Sequence, residues 1–211
     1  MAYYKVLKSD GSCVNGGVGK WHLPKKKKDG TWTPGKWMPE IEGELELCEN
    51  GYHICRTADL VHWLDEAIFE VEYDGEIVED DNKCVVRKAR LLRRVESWNK
   101  KSARLFAADC AEHVLHIYEK EFPDDDRPRK AIQAARDYAN EKITKDELAA
   151  AWAAEAAGEA AGDPARAAGA AGAARYAAWA EAEAAGYAAW AEAEVAERGW
   201  QTKRLFEYLE E

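Results

Sequence analysis

The spacing of apolar residues changes part-way along the chain. In the first hundred residues, the short runs at residues 3–7, 68–73 and 83–93 are each predicted to be a β-strand. Residues 68–73 alternate between apolar and polar positions, and a period of two places successive side chains on opposite faces of a strand. Ser9-Asp10-Gly11 and Asp74-Gly75 follow the first two runs and predict turns.

The third run does not alternate cleanly, because apolar and basic side chains would share one face of a regular strand. The pattern therefore does not decide which face of this strand turns inward.

Residues 16–43 are rich in glycine and proline and carry Trp21, Trp32 and Trp37. Three tryptophan rings need apolar surroundings, so we expect an ordered loop laid over a sheet. A short helix is predicted from residue 57, with Thr57 as its cap, to residue 64.

From Ser102 onward the apolar residues recur at helical spacing. The first helix is predicted to end before Phe122-Pro123. A second helix is predicted after Asp126, with Pro128 in its first turn. Thr144-Lys145-Asp146-Glu147 matches the capping box and predicts the start of a third helix.

An exact eight-residue repeat lies in the stretch 149–198, where 27 of 50 residues are alanine. Its copies begin eleven residues apart, and eleven residues make three helical turns with about 20° of drift. One helix, predicted from Asp163-Pro164 to near Gly199, would therefore present both copies on nearly the same stripe. The aromatic residues of this stripe are Tyr176, Trp179, Tyr187 and Trp190. We expect the stripe to complete the chain's own core, and a homo-oligomer formed by binding a second copy is the alternative.

Together these patterns predict an α+β fold. Residues 1–98 are predicted to form a small β-rich module with one short helix. Residues 99–211 are predicted to form an α-helical bundle that includes a long alanine-rich helix, and the two parts could also pack as one unit. A length of 211 residues with 47% hydrophobic residues is enough for a substantial core.

Charge and composition limit the classes of function. Residues 1–101 carry 17 Lys and Arg against 18 Asp and Glu, whereas residues 102–211 carry 13 against 22, so most of the net charge of −10 lies in the second half. General nucleic-acid binding draws on clustered cations and is not expected. The sequence shows neither an apolar membrane span nor a signal peptide, so we expect a cytoplasmic protein. The five scattered cysteines are expected to be reduced thiols.

Two motifs in the first half resemble reactive sites without matching their spacing. Gly16-Gly17-Val18-Gly19-Lys20 lacks the earlier glycine and the following Ser or Thr of a Walker loop, since Val14 and Trp21 stand there. Residues 48–55 bring together Cys48, His53 and Cys55, but their spacing fits neither a zinc ribbon nor a finger. We therefore expect no metal and no cofactor.

A third group depends on how the strands pair. Glu70 and Glu72 point to the same side of their strand, and His53 and Arg56 could lie near them if the two segments are neighbours. Such a group could bind a ribose hydroxyl or act as an acid/base pair. A surface strand with alternating acidic residues is the alternative.

Two resemblances to known families emerge from these motifs. The first half, over roughly residues 1–98, resembles an uncharacterised domain that is common in phage and prophage proteins. The motifs that carry this resemblance are Cys48-x-x-Gly51-Tyr52-His53-x-Cys55, Glu70-Val71-Glu72-x-x-Gly75-Glu76 and Lys83. This resemblance implies no catalytic residue. The second half is similar to a helical family of immunity proteins of bacterial toxin systems. This similarity lies in the motifs that begin at Arg104 and at Asp126 and in the Ala/Trp-rich tail ending in Leu205-x-x-Tyr208-Leu209.

The second resemblance implies binding and neutralisation. Its polar residues include Arg127, Arg129 and Arg136, whose guanidinium groups are suited to converge on an anionic ligand. A helix cap at Asp126 with surface ion pairs is the alternative interpretation, and such pairs contribute under about 1 kcal/mol each.

The sequence therefore predicts a non-catalytic protein of phage–bacteria conflict that sequesters its partner stoichiometrically. The expected partner is a toxin, a host defence protein or a small nucleotide signal. One alternative is a nucleotide-handling enzyme in the N-terminal module, with a tryptophan stacking on the base and His53, Arg56 and Glu72 near the ribose or phosphates. The other alternative is a purely structural, oligomer-forming protein.

Overall fold

The computed structural model describes residues 2–14, 17, 19–121, 123–124, 126–153 and 187–210. The chain divides into an N-terminal unit, Met1–Glu96, and a C-terminal unit, Ser97–Glu211. Among the described residues, the strands lie in the first unit and the α-helices in the second. The predicted α+β class is confirmed.

The N-terminal unit is built on four antiparallel strands. In chain order, the strands are β1 (Tyr3–Leu7), β2 (Lys25–Lys26), β3 (Trp32–Thr33), β4 (Tyr52–Arg56), β5 (Ala67–Glu79) and β6 (Cys84–Arg94). Because β1 and β6 each pair with both β4 and β5, these four strands close into a small barrel in the order β1-β4-β6-β5. β2 and β3 form a separate two-stranded ribbon. The predicted short helix is a 3-10 helix, Thr57–His62, whose N-cap is Arg56 rather than Thr57.

The long loop before β4 contributes to the barrel core. Trp21 and Met38 are buried in one cluster with inward residues of the strands such as Phe69. The loop also follows β6, since backbone N–H groups at residues 35, 38 and 41 donate to carbonyl oxygens at residues 91, 89 and 87 over 2.8–3.0 Å. The prediction of an ordered loop laid over the sheet is confirmed.

A bulge explains why the last strand does not alternate cleanly. Cys84 and Val86 point into the core, but so do Ala89 and Leu91, which have the opposite parity. The register between β5 and β6 shifts in this region, between Asp74 and Ile77 of β5. Gly75 lies in the shift with φ +86°, a left-handed conformation that glycine adopts without strain. The predicted turn at Asp74-Gly75 was therefore wrong, because β5 continues through it.

The C-terminal unit consists of helices α1 (Lys100–Glu121), α2 (Arg127–Ala139), α3 (Lys145–Ala153) and α4 (Tyr187–Glu210) among the described residues. Trp98, Phe106 and Leu205 are fully buried in it. The capping box at the start of α3 is confirmed. The Glu147 carboxylate accepts the Thr144 N–H at 2.7 Å, and the Glu147 N–H donates to the Thr144 hydroxyl at 3.3 Å.

The final helix does not end where the sequence indicated. α4 continues through Gly199, and a Cβ atom at that position would meet no other atom within 4 Å. An exposed glycine lowers helix stability by only about 1 kcal/mol, which a packed helix tolerates. The predicted start at Asp163-Pro164 lies outside the described residues, as do Tyr176, Trp179 and the side chains of Tyr187 and Trp190. The aromatic stripe stays a prediction.

Candidate functional site

A cavity of about 500 Å³ lies at the seam between β1 and β4. These strands pair only through residues 3–4 of β1 and 55–56 of β4. Residues 4–6 and 51–55, on either side of the seam, line the cavity together with parts of the preceding loops. The polar residues in its wall include Lys5, Cys13, Cys48, Glu49, His53 and Lys83.

Lys5 lies on the inward face of β1 and is half-buried. Its Nζ donates a hydrogen bond to the main-chain oxygen of His53 at 2.7 Å and lies 5.4 Å from the centre of the Trp21 ring. None of the described carboxylates forms a salt bridge with this group. Burial lowers the pKa of Lys5, against the weaker opposing effect of the Cys13 and Cys55 thiols. A larger share of this amine is therefore uncharged at neutral pH than of an exposed lysine.

His53 is held in one neutral form. Its Nε2 accepts the backbone N–H of Cys48 at 2.8 Å, which places the ring proton on Nδ1. Burial lowers the pKa of His53, and the charges of Lys5 and Lys83 lower it further. Both lysines thus act on the same imidazole.

Cys48 connects the histidine to the second lysine. Its backbone has φ +68°, a conformation that is uncommon outside glycine, and its Sγ lies 2.9 Å from Nζ of Lys83. This hydrogen bond raises the pKa of Lys83, with a smaller contribution from Asp80 at 3.8 Å. Cys55 differs, because burial raises the pKa of its thiol to about 12 and keeps it protonated.

The cavity wall is therefore richer in basic than in acidic groups. Lys5, His53 and Lys83 face it, and Glu49 is the carboxylate among its described lining residues. Such a wall can attract an anion, and the lowered pKa of Lys5 makes its amine easier to deprotonate than that of an exposed lysine. Within the described part of the chain, no three His, Cys, Asp or Glu side chains are placed to hold a metal ion.

The structure separates His53 from two residues that were predicted to join it. Glu72 on β5 pairs with Arg90 of β6, at 2.6 Å from its guanidinium nitrogen. Arg56 bonds Asp59 at 2.6 Å and the carbonyl oxygens of residues 80 and 81. Strand order explains the position of Glu72, because β4 and β5 lie on opposite sides of the barrel. Arg56 lies on β4 itself, and its bonds hold it beside Asp59 and residues 79–81.

The three loop tryptophans have different environments. Trp21 is buried, lines the cavity and packs edge-on against Tyr52, with ring centres 5.4 Å apart. Trp32 lies 6.0 Å from the Lys26 ammonium, and Trp37 lies 4.6 Å from the Arg90 guanidinium. Trp32 and Trp37 are not among the lining residues of the cavity.

The C-terminal unit is held by a polar hub centred on Asp109 of α1. Its carboxylate accepts bonds from Arg136 at 2.6 Å, Arg204 at 2.7 Å and the Tyr208 hydroxyl at 2.6 Å. The Asp109 side chain is only 12% exposed. Burial and the Asp109 carboxylate raise the pKa of Tyr208. The hub thus connects α1 to α2 and to α4.

Comparison with known families identifies this helical unit. A family model described as Imm-5 like putative immunity protein matches residues 93–208, more than half of the chain. The chain belongs to this family. The immunity protein match covers α1 to α3 and most of α4, and it confirms the predicted resemblance of the second half.

The N-terminal unit is similar to a different family. Residues 1–103 match a model described as Domain of unknown function (DUF7666). That match does not bear on the expected phage origin, which stays a prediction. The chain has no significant match among curated proteins or among solved structures. No described helix is both long and apolar enough to cross a membrane.

The three arginines singled out in the C-terminal unit have distinct neighbours. Arg129 forms two bonds of 2.8 Å with Glu119, one to each oxygen. Arg136 divides its bonds between Asp109 and Glu112. Arg127 is the exposed first residue of α2. Convergence of the three on an anionic ligand stays a prediction.

Some residues of these sites gave little signal in the sequence. Lys5 looked like an ordinary polar position in an alternating strand, although its inward parity with core residue Leu7 could have identified it. Arg204 and Tyr208 are about a hundred residues from Asp109 in the chain, so no local spacing connected them.

Proposed function

We propose that the chain neutralises a bacterial toxin by binding it stoichiometrically, without chemically altering it. The observation that carries this proposal is the immunity family match over residues 93–208. The matched segment falls on helices that are joined by the Asp109 hub. A surface on such cross-linked helices suits a partner that binds with little change of shape.

The charge of this half favours a basic partner. Residues 102–211 carry 22 acidic against 13 basic side chains. Opposite charge on two partners speeds their encounter, and salt screens that attraction. The proposed toxin surface is therefore cationic, and the association rate should fall as the salt concentration rises.

A titration against an isolated toxin tests this proposal. The intact chain, immobilised, is used to capture its partner from the source organism, and the partner's toxic activity is then measured with increasing amounts of the chain. We expect the activity to reach zero at a fixed ratio near one chain per toxin. Progressive loss of activity at trace amounts of the chain would indicate turnover and would contradict sequestration.

The capture also decides the class of partner. We expect a toxin that regains activity after the complex is dissociated, since sequestration leaves it unmodified. Recovery of a host defence protein instead would support the anti-defence form of the same binding function and refute toxin neutralisation.

A further inference from the structure

The proposed binding of a toxin by the helices gives no role to the cavity of the N-terminal unit. Its volume of about 500 Å³ lies within the range of small-molecule sites, about 300–1,000 Å³. It occurs where the ladder between β1 and β4 is interrupted, and Lys5 there bonds a main-chain oxygen of the neighbouring strand. An inward lysine at an interrupted seam is a costly arrangement for a barrel that served only as packing.

The basic groups around the cavity form one connected set. Nζ of Lys83 contacts the Cys48 thiol, the Cys48 N–H donates to the His53 ring, and the His53 carbonyl accepts from Lys5. Among the lining residues that the structure describes, Glu49 is the opposing carboxylate. The set therefore presents two amines and a neutral imidazole to the cavity, which favours a negatively charged occupant.

The rest of the wall is apolar. Val6, Trp21, Met38 and Ile54 line the cavity and are buried in the surrounding core. An inorganic ion would leave this surface without a partner, whereas a molecule with an apolar or aromatic body would cover it.

We propose that this cavity binds a small anion with an apolar or aromatic body, a phosphorylated or carboxylated metabolite, whose charged group is bound by Lys5 and Lys83. Lysine binds phosphate and carboxylate alike as a compact positive charge, so the structure defines the anion without choosing between them. The site is separate from the proposed toxin-binding function, and either can fail without the other.

Reductive labelling with pyridoxal 5′-phosphate tests the site directly, because this probe is an aromatic phosphate that carries an aldehyde. With this probe, Lys83 binds the phosphate and the unprotonated fraction of Lys5 acts as the nucleophile. The Lys5 amine attacks the aldehyde carbon, water leaves, and a C=N bond replaces C=O. Added borohydride then delivers hydride to that carbon, a proton from water completes the secondary amine, and peptide mapping locates the label. We expect Lys5 to be labelled first, at reagent amounts that leave exposed Lys8 unmodified.

Three variants, two anionic competitors and one neutral control compound sharpen the test. Lys83→Met should slow labelling of Lys5 about tenfold or more, whereas Lys8→Met should leave the rate unchanged. Lys83→Arg keeps the charge and should retain labelling, which separates a charge effect from misfolding. Adenosine monophosphate should protect Lys5 if the ligand class is a phosphate and benzoate if it is a carboxylate, while neutral adenosine should not protect.

Two results would overturn the proposal. One is a label spread over exposed lysines with Lys5 no faster than Lys8. The other is labelling of Lys5 that neither anionic competitor slows and that Lys83→Met leaves unchanged.

Discussion

Replacing Asp109 by asparagine tests whether the polar hub stabilises the C-terminal unit. The substitution keeps the shape of the side chain but removes the charge that accepts bonds from Arg136, Arg204 and Tyr208. A hydrogen bond to a charged group contributes about 1.5–3 kcal/mol. Arg204 is 36% exposed and can be solvated, so we discount its bond, and the asparagine oxygen retains one acceptor. We expect the free energy of unfolding to fall by about 2–3 kcal/mol.

Urea denaturation of the full chain at neutral pH, followed by the helical far-ultraviolet signal, measures this change. Glu112→Gln is the matched control, because Glu112 also bonds Arg136 but its side chain is 45% exposed. Its loss should lower the free energy of unfolding by less than about 1 kcal/mol. If Asp109→Asn and Glu112→Gln have equal effects, the hub does not stabilise the unit in the way that its burial implies.

Three further predictions test other features. Gly51→Ala should destabilise the chain by about 2 kcal/mol or more. The new Cβ would lie 2.2 Å from a Val85 methyl group, and residue 51 has φ +134°, which disfavours a side chain. Gly75→Ala is the control, because Gly75 also has a positive φ, +86°, but a Cβ there would meet no atom within 4 Å. Thermal melting should show a smaller loss of stability for Gly75→Ala than for Gly51→Ala, and equal losses would refute the clash at Gly51. Thr144→Ala should lower the free energy of unfolding by about 1 kcal/mol, because it removes a capping bond of α3. In a double-mutant cycle with Glu147→Ala, measured by urea denaturation, the two losses should be non-additive, and additive losses would show that the capping bonds contribute nothing. The pKa of Tyr208 is raised in the folded chain, so its contribution to stability is complete below the unfolded pKa near 10 and is lost as pH rises above it. Tyr208→Phe should therefore flatten the alkaline part of a stability–pH curve, and an unchanged slope would count against this assignment.

Local patterns predicted the features that depend on local chemistry. The capping box at Thr144 and the turn at Gly11, where φ is +87°, follow from side chains and backbone freedom within a few residues. Gly75 shows the limit, because the same Asp-Gly pair suits a turn and a bulge, and only the pairing of β5 with β6 selects the bulge.

The candidate sites depend on contacts that sequence spacing does not carry. His53 was singled out for its residue type, but its neighbours Lys5 and Lys83 follow from strand order. Grouping it with Glu72 assumed that β4 and β5 were neighbours, and closure of the barrel through β1 places them apart. A period of two fixes which face a residue occupies, but not which strand lies beside it.

The closed barrel also determines when the N-terminal unit can form during synthesis. Its first strand pairs with residues 67–71, and its last strand ends at Arg94, so the ring cannot close until nearly the whole unit has left the ribosome. Until then β4 and β5 each carry an unpaired edge that another chain could join. A chain truncated between β5 and β6 would keep the edges of β4 and β5 exposed. Fragments that lack β6 should therefore aggregate rather than fold.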